Sequence, residues 1–209
     1  MIRTNETFLH YLDELYLQHT YPSDAIAIVT FAPGDYLFLQ NEKASHVLLI
    51  KQGVTKVFFE EENEKEYIVE FLGKGEIIGD IEYIRKIEGL CNVQALDVVE
   101  TYVLSYSFFQ SLLNKDSALY ELLLDAFASR IVNTARRASY QQLYTIEYSL
   151  HQLVEMQKKQ AITLSKEDMA AYLGISVRSL NRSLKQLKEG EVVKSKRSVD
   201  SSNTKTNIK

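Results

Sequence analysis

The sequence predicts an α+β chain in two domains, a strand-built body joined through a long helix to a small helical head. Three observations predict it. Between Ala25 and Tyr106, short runs rich in Val, Ile, Phe and Tyr alternate with Gly-bearing or charged turns, the pattern of an all-β barrel or sandwich. Between Ser117 and Tyr144, the residues Tyr120, Leu124, Phe127, Ile131, Thr134, Ala138 and Gln141 are spaced alternately four and three apart, as in a coiled-coil seam. Between Ala161 and Gly190, AITLSKEDMAAYLGISVRSLNRSLKQLKEG reads as two short helices broken by a turn.

The 209 residues, 45% of them hydrophobic, suffice to bury one ordinary core and a smaller second one. A formal net charge of −4 hides a division: residues 1–157 carry 12 Lys and Arg against 23 Asp and Glu, whereas 158–209 carry 12 against 5. An acidic body with a basic C-terminal module suits a polyanionic partner at one end only. The single cysteine, Cys91, excludes an intramolecular disulfide and leaves an iron–sulfur cluster without its usual thiolates. No apolar run approaches the length of a membrane span, and MIRTNETFLHYLDELY mixes charged with apolar residues, unlike a signal peptide. The expected location is the cytoplasm, away from membranes.

Asn5 is placed to cap a first helix with Phe8, Leu12 and Leu15 on one face and Leu9 and Tyr16 beside them, a lid on the strand-rich body. The strands read as AIAIVTF from Ala25, DYLFLQ from Asp35, HVLLIKQG from His46, VTKVFFE from Val54, YIVEFLG from Tyr67, GEIIGDIEYI from Gly75 and VQALDVVETYVLSY from Val93. The acidic run from Glu60 to Glu66 is a solvated hairpin loop between two of them. Within these strands, FAPGD (Phe31–Asp35), VLLIKQGVTKV (Val47–Val57) and LGKGEIIGD (Leu72–Asp80) carry glycines at characteristic turns. On these motifs the chain resembles the Crp/Fnr family of bacterial transcription regulators. IGDIEYI (Ile78–Ile84), NVQAL (Asn92–Leu96) and VKSKR (Val193–Arg197) are most similar to its YeiL-like branch. The resemblance implies a cyclic-nucleotide-binding-like β-roll, a double-stranded jelly roll, over residues 1–115. It further implies a dimerisation helix and a linker helix over 116–157, and a winged helix-turn-helix over 158–209.

In that family a buried cyclic phosphate is held by an arginine and a Ser or Thr that follow a Gly-Glu pair, because a buried anion needs a charged, forked donor. Aligned on VQA (Val93–Ala95), Gly89 and Leu90 stand where the arginine and the hydroxyl residue belong, with Cys91 next. Gly79 and Asp80 match the Gly-Glu half, and Glu82 adds a second negative charge. The pocket is thus expected to be degenerate and not to take cAMP. Arg85 and Lys86 are the cations on that loop that would have to substitute. No resident cofactor or metal is expected: His46 and Cys91 are single candidate ligands, and His10, His19 and His151 have no partner at a ligand spacing. Cys91 as a redox switch would require a lowered pKa and exposure. A small-molecule effector of another kind stays open.

The seam predicts a homodimer through Tyr120, Leu124, Phe127, Ile131, Thr134 and Ala138; the alternative is that these residues pack the helix on its own β-roll. An amphipathic segment from Ile146 to Met156 comes next, and Lys158, Lys159 and Gln160 read as a surface turn before the head. In the head, Ser165 and Asp168 cap the first helix, Gly174 ends it, and Ser176 caps the second, whose Leu180, Leu184 and Leu187 form a buried stripe. Ala170 and Ala171 let the helices approach, while Met169, Leu173 and Ile175 complete the core. Arg178, Arg182, Lys185 and Lys188 lie off the stripe, as a helix that enters a DNA major groove requires. The expected DNA-contacting residues are Ser176, Val177, Arg178, Ser179, Asn181, Arg182 and Lys185. Arg182 matches an arginine of the family's recognition helix, whereas Val177 replaces another. The alternative is a surface helical hairpin with merely solvated arginines. Beyond it, VVKSKRSVDSSNTKTNIK predicts a short wing and a polar, disordered tail.

The expected function is a homodimeric, sequence-specific regulator on a palindromic operator in double-stranded DNA, with RNA polymerase as a further partner. The alternative is an effector-binding or interaction module whose head is not productive on DNA by itself. An enzyme is not expected: there is no nucleophile–base pairing or metal cluster, and the GKG at Gly73–Gly75 lacks the spacing of a phosphate loop.

Overall fold

The computed structural model describes residues 2–18, 25–62, 65–187 and 189. The chain forms two compact units, one ending at Arg137 and one beginning at Ala138.

The first unit is a roll of two sheets with a helical cover. One sheet has the order β1-β6-β5-β8-β3 and the other β2-β9-β4-β7. Their strands are β1 (Ile2–Arg3), β2 (Ile26–Phe31), β3 (Tyr36–Phe38), β4 (His46–Gln52), β5 (Thr55–Glu60), β6 (Glu66–Leu72), β7 (Ile77–Ile78), β8 (Asn92–Ala95) and β9 (Val99–Ser105). The continuous apolar run of β4 shows why. Leu48 and Ile50 face the space between the sheets, with Phe38, Val57, Leu72, Val93 and Val99. Val47 and Leu49 face the other way, under the helices. A strand covered on both sides has no solvent face and so carries no alternation.

The cover consists of α1 (Glu6–Leu17), α3 (Tyr106–Lys115) and the first part of α4 (Ser117–Leu143). Asn5 caps α1 by accepting the Phe8 amide (3.0 Å), and Phe8, Leu12 and Leu15 are buried as the spacing predicts. Leu112 and Phe109 of α3, and Leu119 and Leu123 of α4, join them in one core.

Several expectations are corrected. GEIIGDIEYI is not one strand: β7 stops at Ile78, and α2 (Asp80–Arg85) begins after Gly79, which adopts φ +86°, with acidic Asp80 and Glu82 in its first turn. VQALDVVETYVLSY splits into β8 and β9, which belong to different sheets. Neither β1, which pairs in parallel with β6 through Ile2 and Phe71, nor α3 was legible as a separate element.

The second unit holds the end of α4, then α5 (Ile146–Gln160), α6 (Lys166–Leu173) and a further helix over 177–187, called α7. Thr145 caps α5 by accepting the Tyr148 amide. Lys158, Lys159 and Gln160 are the last residues of this helix rather than a turn; the chain reverses at Ala161, whose φ is +51°. Leu150, Leu153, Met156, Leu164, Met169, Ala170 and Leu180 are buried in this unit. The rings of Tyr140, Tyr144 and Tyr148 line up across the α4–α5 junction, with centroids 5.2 and 4.5 Å apart. The expected wing and tail, together with His19 and Lys188, lie outside the described residues.

Candidate nucleic-acid interface and β-roll pocket

The head is built by local capping. Ser165 Oγ accepts the Asp168 amide (2.9 Å) and donates to the Asp168 carboxylate (2.7 Å), so the first turn of α6 is closed from both ends. Gly174, at φ +68°, ends α6 in the left-handed conformation, and the Ile175 amide returns to Ala170 O (3.0 Å). Gln157 of α5 fixes the approach to α6: its Oε1 accepts the Leu164 amide (2.8 Å), and its Nε2 contacts Met169 Sδ (3.8 Å). Ser176 then caps α7 by accepting the Ser179 amide (3.1 Å).

Leu180 and Ser183 are the buried residues of α7, while Leu184 and Leu187 are half-buried, so the packed face lies a little to one side of the expected leucine stripe. Arg178, Asn181, Arg182 and Lys185 are exposed, and their i, i+3, i+4, i+7 spacing puts them on one face. Ser176 is exposed at the start of the helix, with Val177 and Ser179 half-buried beside it. Lys185 reaches Glu189 only at 3.9 Å, which leaves its ammonium available to an anion.

On α4 the predicted seam is laid out along the helix surface. Tyr120, Leu124, Ile131, Thr134 and Ala138 are exposed, and Phe127 is half-buried against the core. A second row, one residue behind, packs on the roll instead: Leu119, Leu123 and Ala126 are buried. That row continues into two arginines.

Arg130 enters the roll beside the expected pocket. Its Nη1 donates to both Asp80 carboxylate oxygens (3.0 and 2.8 Å), and its Nη2 donates to Ile77 O (2.6 Å). Asp80 is only 1% exposed. Burial works against the Arg130 charge, but Asp80, with Glu76 and Glu70 behind it, more than offsets this and holds the guanidinium above its ordinary pKa. Arg137 donates to Ile68 O (2.6 Å) and lies over the Tyr67 ring. From β1, Arg3 pairs with both Glu70 and Glu76 (2.7 Å each). Burial raises the Glu70 carboxyl above the usual range despite the three arginines around it.

The remaining pocket residues are used by the loop itself. Glu82 is buried and accepts the Leu90 amide (3.0 Å). Gly89 donates to Glu42 O (2.8 Å) and accepts from the Asn41 amide (2.7 Å), and a Cβ on it would stand 2.0 Å from Leu39 O. No side chain fits at that position, and an arginine least of all. Leu90, Arg85 and Lys86 point outward as exposed residues. Cys91 is half-buried, and burial, then Glu82 and Glu70, push its thiol up to about 12, the reverse of what a reactive thiolate needs. His46 Nδ1 pairs with Ser45 Oγ (2.7 Å). Among the described residues no group of three or more His, Cys, Asp or Glu is arranged to hold a metal ion, and no helix is long and apolar enough to cross a membrane.

The structure therefore places Arg178, Asn181, Arg182 and Lys185 on one exposed face of α7, with Ser176 exposed at its start and Val177 and Ser179 half-buried, and Gly79, Asp80, Glu82, Gly89, Leu90 and Cys91 fall between β7 and the start of β8. Sequence reasoning missed Arg130, Arg137 and Arg3. The available signal was the row Leu119, Leu123, Ala126, Arg130, which keeps heptad spacing beside the seam.

Comparison with known proteins finds two family matches, one in each unit. Residues 28–116 match the cyclic nucleotide-binding domain, and residues 147–202 match the Crp-like helix-turn-helix domain. No curated protein matches the chain. Among solved structures it is similar to the c-di-GMP responsive global regulator CLP of Xanthomonas campestris, at 17% identity and a TM-score of 0.75 over 87% of this chain and 93% of that one. It is also similar to FixK2 from Bradyrhizobium japonicum, at 16% identity and a TM-score of 0.66 over 79% and 86%. A CRP-family transcriptional regulator from Thermus thermophilus shares the fold at 13% identity, with a TM-score of 0.69 over 78% and 85%. A roll of the one kind followed by a head of the other, together filling more than half of the sequence, makes this chain a member of the Crp/Fnr family of DNA-binding transcription regulators.

Proposed function

We propose that the chain acts as a homodimeric, sequence-specific regulator at palindromic operators, with a β-roll that does not take cAMP. The observation that carries this is the exposed face of α7, where Arg178, Asn181, Arg182 and Lys185 stand together while Leu180 and Ser183 fasten the opposite face. Arginine forks match guanine edges and phosphates, and Asn181 offers the donor–acceptor pair that reads adenine. Lys185 is a phosphate contact, and the basic charge of 158–209 draws the head to DNA.

Dimerisation is supported by the seam. Leu124 is 66% exposed and Ile131 71% exposed, both on heptad positions. Covering such a side chain contributes about 1.5–3 kcal/mol, and a two-fold axis doubles every contact. Two recognition helices so related would meet half-sites about one helical turn, ~34 Å, apart. Three features stand against cAMP: Asp80 is already paired, Glu82 is a buried acid, and position 89 has no room for a phosphate clamp. The effector named for CLP, c-di-GMP, is also an anion and meets the same obstacles here.

The test is selection of bound sequences from a random duplex library with purified protein at physiological salt and no added ligand. A palindromic consensus is expected, and absence of enrichment, with or without cell extract, would overturn the proposal. Replacing Arg182 with Ala should weaken specific binding by about 1–3 kcal/mol and relax one base pair per half-site. Calorimetry with cAMP should show no heat of stoichiometric binding; micromolar affinity would remove the sensor part of the proposal.

A further inference from the structure

We infer that the first unit carries a small-molecule site between α2, α3 and the start of α4, apart from the expected cyclic-nucleotide pocket, and that it takes an uncharged, ring-sized apolar molecule with one hydroxyl or carbonyl group. The cavity there measures about 530 Å3, within the range of ~300–1,000 Å3 that small-molecule sites span. Its walls come from Tyr83 and Ile84 of α2, Ile87 just after it, Tyr106 and Leu113 of α3, and Tyr120 of α4. Of the residues expected at the cyclic-nucleotide pocket, Glu82 reaches this cavity, whereas Gly79, Asp80, Gly89, Leu90 and Cys91 do not line it.

The walls call for an apolar body. Ile84 and Ile87 are 46% and 45% exposed and Tyr120 is exposed beside them, so apolar surface stands here without cover. Tyr83 sets its ring edge-on to Tyr106 (centroids 5.0 Å apart) and to Phe109 (5.1 Å), which fixes an aromatic wall in place. A flat ring packs on such a wall with less loss of freedom than a flexible chain.

The polar groups select what that ring carries. The Tyr83 hydroxyl donates to Gln110 Oε1, Gln110 Nε2 donates to Asn114 Oδ1 (3.3 Å), and Glu82 Oε1 accepts the Leu90 amide (3.0 Å). The Tyr106 hydroxyl, by contrast, is buried and has no hydrogen-bond partner. A buried polar group left so is destabilising, and a molecule that brings a hydroxyl or carbonyl to it removes the deficit. Burial, then Glu82 and Asp80, push this hydroxyl above the ordinary phenol range, so it stays neutral and its surroundings are acidic. An anionic group would meet Glu82 there, and Lys86 on the cavity wall repels a cation. An uncharged group satisfies both.

The test uses the full-length protein with labelled isoleucine methyls, titrated in turn with 1-naphthol, naphthalene and 1-naphthoate and followed by NMR. 1-Naphthol is expected to shift the Ile84 and Ile87 methyls at one site per chain, with a Kd on the order of 100 µM. Naphthalene, which lacks the hydroxyl, should bind about fivefold more weakly, and 1-naphthoate at least about tenfold more weakly. Tyr106→Phe should bring 1-naphthol down to the affinity of naphthalene and leave naphthalene unchanged, because the ring remains and only the hydroxyl is lost. Ile87→Glu, at an exposed position, should abolish the binding of both and covers the case in which Tyr106→Phe does not fold. Four results would each overturn the inference: unmoved Ile84 and Ile87 methyls, 1-naphthoate bound as tightly as 1-naphthol, equal losses of both neutral probes in Tyr106→Phe, or shifts that follow protein concentration instead of probe. The last would give the cavity to a second copy of the chain. The site does not depend on the regulator function proposed above: if the wild type selects no DNA, that function fails, while the methyl shifts still decide the site.

Discussion

Two faces of α4 carry the same periodicity and meet opposite fates. The inner row, Leu119, Leu123 and Ala126, is buried on the roll and ends in Arg130 and Arg137, whose guanidiniums find oxygen acceptors there. The outer row, Tyr120, Leu124, Ile131 and Thr134, is one residue out of phase and exposed. Heptad spacing alone does not say which row packs on the roll; the chemistry of the residues in it does. Long cations at the end of a row require fixed acceptors, which a folded β-roll provides, whereas Thr134 and Ala138, both exposed, require none.

Asp80→Ala separates the two faces most strongly. It leaves the Arg130 charge buried without its carboxylate and should remove about 3–5 kcal/mol of stability, read by urea unfolding. A midpoint equal to wild type would mean that the inner face is held by its apolar residues alone. Next in size are two adjacent leucines. Leu123→Ala should cost about 2–5 kcal/mol because Leu123 is only 3% exposed. Leu124→Ala should change the unfolding of dilute protein by less than about 0.5 kcal/mol yet shift the sedimentation equilibrium towards the monomer. Equal stability losses from the two would merge the faces.

A smaller effect belongs to the head: Ser165→Ala should lower its stability by about 1 kcal/mol through the lost α6 cap. The transition reported by the roll should stay in place. Smallest in energy is Cys91. With its thiol held near 12, alkylation at pH 8 should run at least about a hundredfold slower than for a free thiol. Because the folded pKa is raised, the contribution of Cys91 to stability is complete below the ordinary thiol value of about 8.5 and is lost as pH climbs from there towards 12. Fast labelling in Asp80→Ala but not in wild type would tie this thiol to the inner face.

Features with local causes were legible in the sequence. The Ser165–Asp168 cap, the Gly174 turn, the Ser176 cap and the Asn5 cap each depend on residues within four positions of one another, and the structure contains all of them. The alternating and fully buried strands were also visible. The elements that escaped have distant partners or mixed signals. The dipeptide of β1 is a strand only because Phe71 and Leu72 stand beside it. The residues of α3, YSFFQSLLNK, begin like a continuation of β9, and Ser105 alone marks the change by capping Phe108. In α2, β-branched Ile81 and Ile84 suggest a strand, but Gly79 turns the backbone and the acids Asp80 and Glu82 favour a helix start. Arg130 lies 50 residues from Asp80, so the spacing of its row showed which helix face it shares but not the carboxylate it meets.

The tight approach at Gly89 fixes what this loop can carry. In a relative that clamps a phosphate from this loop, the side chain needs room that the Leu39 carbonyl occupies here. An arginine at position 89 would place a Cβ against that oxygen and disturb the two backbone bonds that join 89 to Asn41 and Glu42. An arginine there would first require the 39–42 segment to move. The close contact thus couples two parts of the loop: a side chain at 89 and the present path of 39–42 exclude one another.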